Sequence, residues 1–191
     1  MGRPREFDLS GVIDRAMEVF WAKGYDGTSI AELTKAMGIG SPSLYAAFGS
    51  KEGLFRAVLD QYGRQRVQFL DHALEAPTAR ETASLLLSAA AKLYAEGNDH
   101  RGCLLVQGGL TCGCTSVAEE LAKRRETTEL ALRERFVRAA EEGDLGAGDS
   151  PAALARYVMS VLTGMGVKAA DGATKGDLDE IAALAMKAFP A

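Results

Sequence analysis

The stretch from Thr28 to Lys51, TSIAELTKAMGIGSPSLYAAFGSK, limits what this chain can fold into more than any other. Ile30, Leu33 and Met37 recur at i, i+3 and i+7 and so share one face of a helix, and Ser29 with Glu32 has the spacing of a capping box at its start. Gly38 stops that helix. Ser41 is then expected to cap a second helix with Pro42 at its first position, where a missing N–H costs nothing. Two short helices joined by a tight turn are the pattern of a helix-turn-helix, whose second helix enters the DNA major groove.

A net charge of −4 speaks against a nucleic-acid binder until its distribution is considered. Residues 1 to 66 carry nine Lys or Arg against eight Asp or Glu, and residues 67 to 191 carry thirteen against eighteen. The asymmetry points the same way as the helix-turn-helix, although it is too small to carry the assignment alone. Ahead of the first helix, Arg3 and Arg5 flank Pro4 in a short cationic arm. Such an arm suits a narrow minor groove, and equally fits an ordinary charged terminus.

Ser10 can cap a first helix in which Val12, Ala16, Val19 and Phe20 form one apolar stripe and Gly24 marks the end. Ser50 caps a long helix running through Leu54, Phe55, Val58, Leu59 and Tyr62 toward Leu74, closed by Pro77. Lys51 stands at the start of that helix, where the macrodipole disfavours a cation by a few tenths of a kcal/mol. A DNA phosphate at this helix start would favour both the free N–H groups and the lysine, so Lys51 reads as a backbone contact. The competing reading is a solvated surface lysine.

From Thr78 onward the pattern is helical throughout, in blocks Thr78 to Gly97, Cys103 to Cys112, Ser116 to Glu142, Pro151 to Ala170 and Asp177 to Phe189. Loops fall at Gly143 to Ser150 and Asp171 to Gly176. The expected fold is all-α, with an N-terminal three-helix DNA-binding domain over residues 1–50 and a larger helical domain over 51–191. A 47% hydrophobic content supplies a core without metal or disulfide help. The N-terminus has no apolar signal region, and no apolar run reaches the roughly 20 residues of a membrane span, so a cytoplasmic protein without a membrane partner is expected. The last two blocks are rich in Ala, Leu, Met and Gly. They could dock on a second copy as a four-helix bundle through Leu154, Val158, Val161, Ile181, Leu184 and Ala185, or merely finish the monomer's core. A dimer fits a helix-turn-helix that reads a palindromic operator.

Three cysteines, Cys103, Cys112 and Cys114, are an odd and clustered set, unlike a secreted disulfide framework. With His100 they could be read as a metal site, but Cys-x-Cys is a poor zinc spacing. They could form a thiol switch near Arg101 or a helix start, or pack as small buried residues. No metal and no cofactor is assigned. Nothing supports an enzyme: there is no Gly-x-Ser-x-Gly elbow and no phosphate-binding loop, and Gly164-x-Gly166-x-x-Ala169 has no strand before it. A helical enzyme or carrier fused to a DNA-binding head, and a purely structural oligomer, are the readings from other classes.

Taken together, Ala16, Phe20, Gly24, Tyr25, Thr28, Ser29 and Ile30, then Ala36, Gly38 and Ile39, then Leu44, Tyr45, Phe48, Ser50, Lys51, Glu52 and Leu54 form a spaced set. That set resembles the N-terminal signature of the TetR/AcrR family of bacterial transcriptional regulators. The resemblance implies an all-α homodimer with a DNA-binding head and a divergent C-terminal domain that binds a small molecule. It implies that Thr28 and Ser29 bond a phosphate, and that Ser41, Pro42, Ser43 and Leu44 fill the exposed and packing positions of the recognition helix. It further implies that Tyr45 and Lys51 reach the backbone, although Tyr45 could equally be a core aromatic and Thr28 only a helix cap. Short side chains at 41–43 offer few bidentate base contacts, so direct readout should be modest. The resemblance also implies an effector pocket, with Phe69, Leu86, Tyr94, Leu104, Gln107, Leu110 and Met165 on the helices that could line it. A mostly apolar lining suits a hydrophobic or aromatic effector. The expected function is a repressor released from its operator by such an effector, with a thiol-based redox or electrophile sensor as the alternative.

Overall fold

The computed structural model describes residues 9–96, 102–110 and 112–190, with the side chains of 109 and 110 excepted. Among the described residues every regular element is helical: α1 (Leu9–Lys23), α2 (Ile30–Met37), α3 (Ser41–Phe48), α4 (Lys51–Leu74), α5 (Ala79–Ala95), α6 (Leu104–Leu110), α7 (Thr115–Glu141), α8 (Pro151–Ala170) and α9 (Lys175–Ala188). No described helix is long and apolar enough to cross a membrane.

Local chemistry sets most of these boundaries. The Ser29 hydroxyl accepts from the Glu32 N–H at 3.2 Å while the Ser29 N–H donates to the Glu32 carboxylate at 2.9 Å, which closes the capping box of α2. Lys23, paired to the same carboxylate, and then the Ser29 donors hold the Glu32 pKa down at about 2. Gly38 ends α2 at φ 69°, a left-handed turn that glycine enters without steric cost. Ser50 caps α4 through the Gly53 N–H at 3.0 Å. A second capping box, Thr174 with Asp177, starts α9 at Lys175, two residues before the expected position.

Two further expectations are corrected. Ser10 lies inside α1 and its carbonyl accepts from the buried Gln61 amide. Ser41 is the first residue of α3, whose cap is Gly40 with no side-chain bond, so the turn rests on backbone geometry and Pro42.

Two cores hold the helices. The first gathers Phe20, Leu33, Met37, Leu44, Leu54, Phe55 and Tyr62 from α1 to α4, and it also takes in Leu104 and Val106 of α6 and Val117 and Leu121 of α7. Packing therefore crosses the expected boundary after residue 50. The head shares its interior with the helices that follow it. The second core lies between α5, α7, α8 and α9, around Leu87, Leu132, Phe136, Val158, Met165 and Leu178. Tyr94 packs against both.

The cores meet where the 102–103 turn presses on α8. Gly102 stands at φ +97°, and a Cβ there would lie 2.4 Å from the Gly166 carbonyl oxygen and 2.6 Å from the Gln107 amide. Gly166 itself faces the Cys103 Cβ, so it serves close packing between the turn and α8. Gly102→Ala is expected to cost roughly 1–3 kcal/mol, from positive-φ strain together with the clash. The shift of the urea midpoint at unchanged m-value measures it.

Candidate DNA-binding face and effector cavity

The short helix α3 presents Ser41, Pro42, Ser43, Ala46, Ala47 and Tyr45 to solvent, with Tyr45 49% exposed. Leu44 points the other way. At 0% exposure it belongs to the head core, so it packs α3 inward and is not on the exposed face where it was expected to count among the DNA-binding residues. Thr28 is likewise internal, 2% exposed, and its hydroxyl donates to the Gly24 carbonyl at 2.7 Å. That hydroxyl is engaged and shielded, so Thr28 fixes the turn after α1. The exposed Ser29 hydroxyl is held in the capping box and donates to Glu32 at 2.8 Å. Arg3 and Arg5 lie outside the described residues.

Lys51 sits beside this face at the first position of α4, with its Nζ 4.4 Å from the centre of the Tyr25 ring. Tyr25 in turn stacks on Phe20 and tilts against Phe55. A cation over an aromatic face is worth about 0.5–1 kcal/mol at an exposed site, which offsets the unfavourable dipole position. Sequence spacing did not reveal this contact, because Tyr25 and Lys51 meet across the turns of the head.

Between α4, α5, α6, α7 and α8 lies a cavity of about 330 Å³, within the usual range of small-molecule sites. Phe69, Leu86 and Tyr94 line it as expected. Three others do not. Leu104 is buried in the head core, its N–H donating to the Tyr62 hydroxyl at 3.2 Å, and the neighbouring Leu105 takes the cavity position. Met165 is fully buried in the second core, and the Gln107 amide lies beside Gly102. The Leu110 side chain falls outside the described residues. The cavity also takes Tyr62, Arg66, Leu93, Cys103, Val106, Met159 and Leu162, which the sequence did not single out for it.

Cys103 is 8% exposed and forms part of the cavity wall. The Tyr62 hydroxyl donates to its sulfur at 3.4 Å. Burial, reinforced by the nearby Cys103 sulfur, pushes the Tyr62 and Tyr94 hydroxyls well above the ordinary phenol range, so both remain proton donors at neutral pH. Cys112 and Cys114 are half-buried and stand apart from the cavity lining. Burial raises the Cys112 thiol pKa, which disfavours its reactive anion. Gly113, between them, donates to Asp26 of the head at 2.6 Å. No group of His, Cys, Asp and Glu among the described residues could hold a metal ion, and His100 lies outside them.

On α8 and α9, Val158 and Ala185 are buried in the monomer's second core, which corrects their assignment to a dimer surface. Leu154, Val161 and Ile181 are half-buried, and Leu184 is 62% exposed.

Residues 12–58 match the family model of bacterial regulatory proteins, tetR family. The chain is 30% identical over 196 residues to the HTH-type transcriptional repressor ComR of Escherichia coli (strain K12), covering 99% of this chain and 92% of that one. It is 40% identical over 108 residues to the HTH-type transcriptional repressor BdcR of the same organism, 56% of this chain and 55% of that one. Among solved structures, a cysteine mutant of the TetR family transcriptional regulator CifR, complexed with 26 bp double-strand operator DNA, superposes with a TM-score of 0.91 at 41% identity. That similarity covers 98% of this chain and 100% of the other. With the signature on α1 to α4 and full-length likeness beyond it, the chain belongs to the TetR family of bacterial transcriptional regulators.

Proposed function

We propose that this chain is a homodimeric operator-binding repressor, released from DNA when a small, largely apolar effector enters the cavity. Residues 1–50 would serve as the DNA-binding head and 51–191 as the effector-binding and dimerising body. The observation that carries this reading is the course of α4, which starts at Lys51 beside the recognition helix and lines the cavity from Leu59 to Leu70. The repressors ComR and BdcR, and the operator complex of CifR, support the DNA partner and the sign of regulation. A symmetric dimer would set its two recognition helices in successive major grooves, roughly 34–36 Å apart. An effector wedged against α4 changes that spacing through its differential affinity for the two dimer shapes.

The test is operator binding measured over a range of salt concentrations. Lys51→Ala should weaken binding to all sequences and flatten the slope of log K against log salt by about 0.9, the value of one phosphate contact. An unchanged slope would remove Lys51 from the phosphate-binding set. A candidate effector that binds without changing operator affinity would count against the release mechanism for that compound.

A second reading, electrophile sensing, is favoured by the position of Cys103 in the cavity wall. Addition of its thiol to an activated carbon–carbon double bond would form a C–S bond, with the thiol proton ending on the adduct, and would fill the cavity covalently. Treating the operator complex with such an electrophile should release wild-type protein and leave Cys103→Ser bound. Equal release of both would exclude Cys103 as the sensor.

A further inference from the structure

The cavity lining is mostly apolar, and its only charged members among the described residues are arginines. Phe69, Leu86, Leu93, Met159 and Leu162 supply hydrocarbon and aromatic surface, and no Asp or Glu occurs among the described lining residues. Three arginines do line it, Arg66, Arg124 and Arg125. Two of them have protein acceptors. Arg124 is paired to Asp60 at 2.6 Å and to Glu120 at 2.7 Å, so its charge is fully matched. Arg125 donates to the Leu105 carbonyl.

Arg66 differs from both. Its guanidinium lies 3.7 Å from the centre of the Tyr62 ring and 5.6 Å from that of Trp21, and among the described residues these aromatic faces, with no carboxylate, hold it. Its Nε is buried without a hydrogen-bond partner among the described residues. A buried donor left unbonded is unfavourable, and a planar guanidinium fixed against rings is prearranged for bidentate recognition of a carboxylate. The adjacent Tyr62 hydroxyl is committed to Cys103 and cannot serve the same acceptor as donor.

We propose that the effector is an amphipathic monoanion, an apolar chain or ring system ending in a carboxylate that pairs with Arg66. This rests on the reading of the cavity as the effector site and specifies the chemistry of that ligand. It also supplies a route to the head. Trp21 belongs to α1 and Tyr62 to α4, so the unbound guanidinium bridges a head helix and the cavity wall. A carboxylate that draws the guanidinium toward the cavity loosens its hold on Trp21.

The experiment compares acids with neutral analogues of the same body on the full-length protein. Hexanoate, octanoate, decanoate and phenylbutyrate are titrated against the matching alcohols and methyl esters by calorimetry. Emission of Trp21, the one tryptophan of the chain, is followed in parallel. The acids should bind wild-type protein about tenfold or more tightly than the neutral compounds, as expected for a charge-assisted pair in a sheltered site. The acids and not the alcohols should change Trp21 emission. Arg66→Met should abolish the preference while leaving affinity for the alcohols within about threefold, a change worth less than one charge-assisted bond. Arg66→Lys, which keeps the charge and loses the fork, should retain part of the preference.

Equal binding of acid and neutral compounds by wild-type protein would overturn the proposal and leave an apolar effector site standing. A preference that survives in Arg66→Met would do the same. Binding of neither class, linear or aromatic, would overturn the cavity reading together with the proposal.

Discussion

Phe55→Ala is expected to destabilise the protein by roughly 3–5 kcal/mol, the range for removing a fully buried aromatic side chain with incomplete collapse of the void. Phe55 is 1% exposed and meets Phe20 edge-on at 4.9 Å and Tyr25 at 5.2 Å. It also reaches the position where Gly108 of α6 comes close, so one ring links α1, α4 and α6. Against a total stability of about 5–15 kcal/mol, such a loss is large enough to populate the unfolded state at moderate temperature. The same change removes one of the two rings that position Tyr25, and with it the platform under Lys51. Urea denaturation should show a lower midpoint, and operator affinity should fall even where the protein remains folded. Phe55→Leu, which keeps most of the volume, should cost much less. If Phe55→Ala instead loses little stability, the head does not depend on its shared core with α4 and α6.

How much of this could be read from sequence depends on the distance over which the responsible interactions act. The Ser29–Glu32 capping box, the Gly24 and Gly38 stops and the Ser50 cap are settled within four residues of chain, and all lie where their spacing placed them. Serine favours the cap role, which makes Ser41 the natural candidate. Here Gly40 already has the extended backbone that the cap requires, and Pro42 fixes the turn after it. The cavity was legible in part. Phe69, Leu86 and Tyr94 stand out as large side chains on amphipathic helices, whereas choosing Leu105 over Leu104 needs the rotation of α6, about 100° per residue, relative to α4 and α7.

The Trp21 contact of Arg66 and the Tyr25 contact of Lys51 were beyond reach for a related reason. Each joins a cation to an aromatic ring distant in sequence, whereas the helix-start position of Lys51 and the four-residue spacing of Tyr62 and Arg66 are visible in the chain itself. The cysteines separate on the same basis. Cys103 acquires a tyrosine donor from α4 and a place in the cavity wall, and Cys112 and Cys114 bond within their own segment. Their sequence cluster therefore splits into two environments.

Leu184→Glu tests the dimer part of the proposal, and its effect should be large. Leu184 is 62% exposed on α9 while its neighbour Ala185 is buried, so the helix turns a large apolar side chain outward. Half-buried Leu154 and Val161 on α8 and Ile181 on α9 extend the same small-residue helix pair. In a two-fold interface each substitution acts twice, once from each subunit. A charge placed in a desolvated helix–helix contact costs about 2 kcal/mol or more per copy, so the dimer dissociation constant should rise by roughly a thousandfold. Sedimentation or light scattering at micromolar protein should then show a monomer with unchanged helix content. Operator affinity should fall steeply as well, because two linked heads bind a palindrome far more tightly than one. A variant that stays dimeric and keeps full operator affinity would place the interface away from α9. A variant that becomes monomeric yet binds its operator as before would show that a single head suffices, and would remove groove spacing as the means of release.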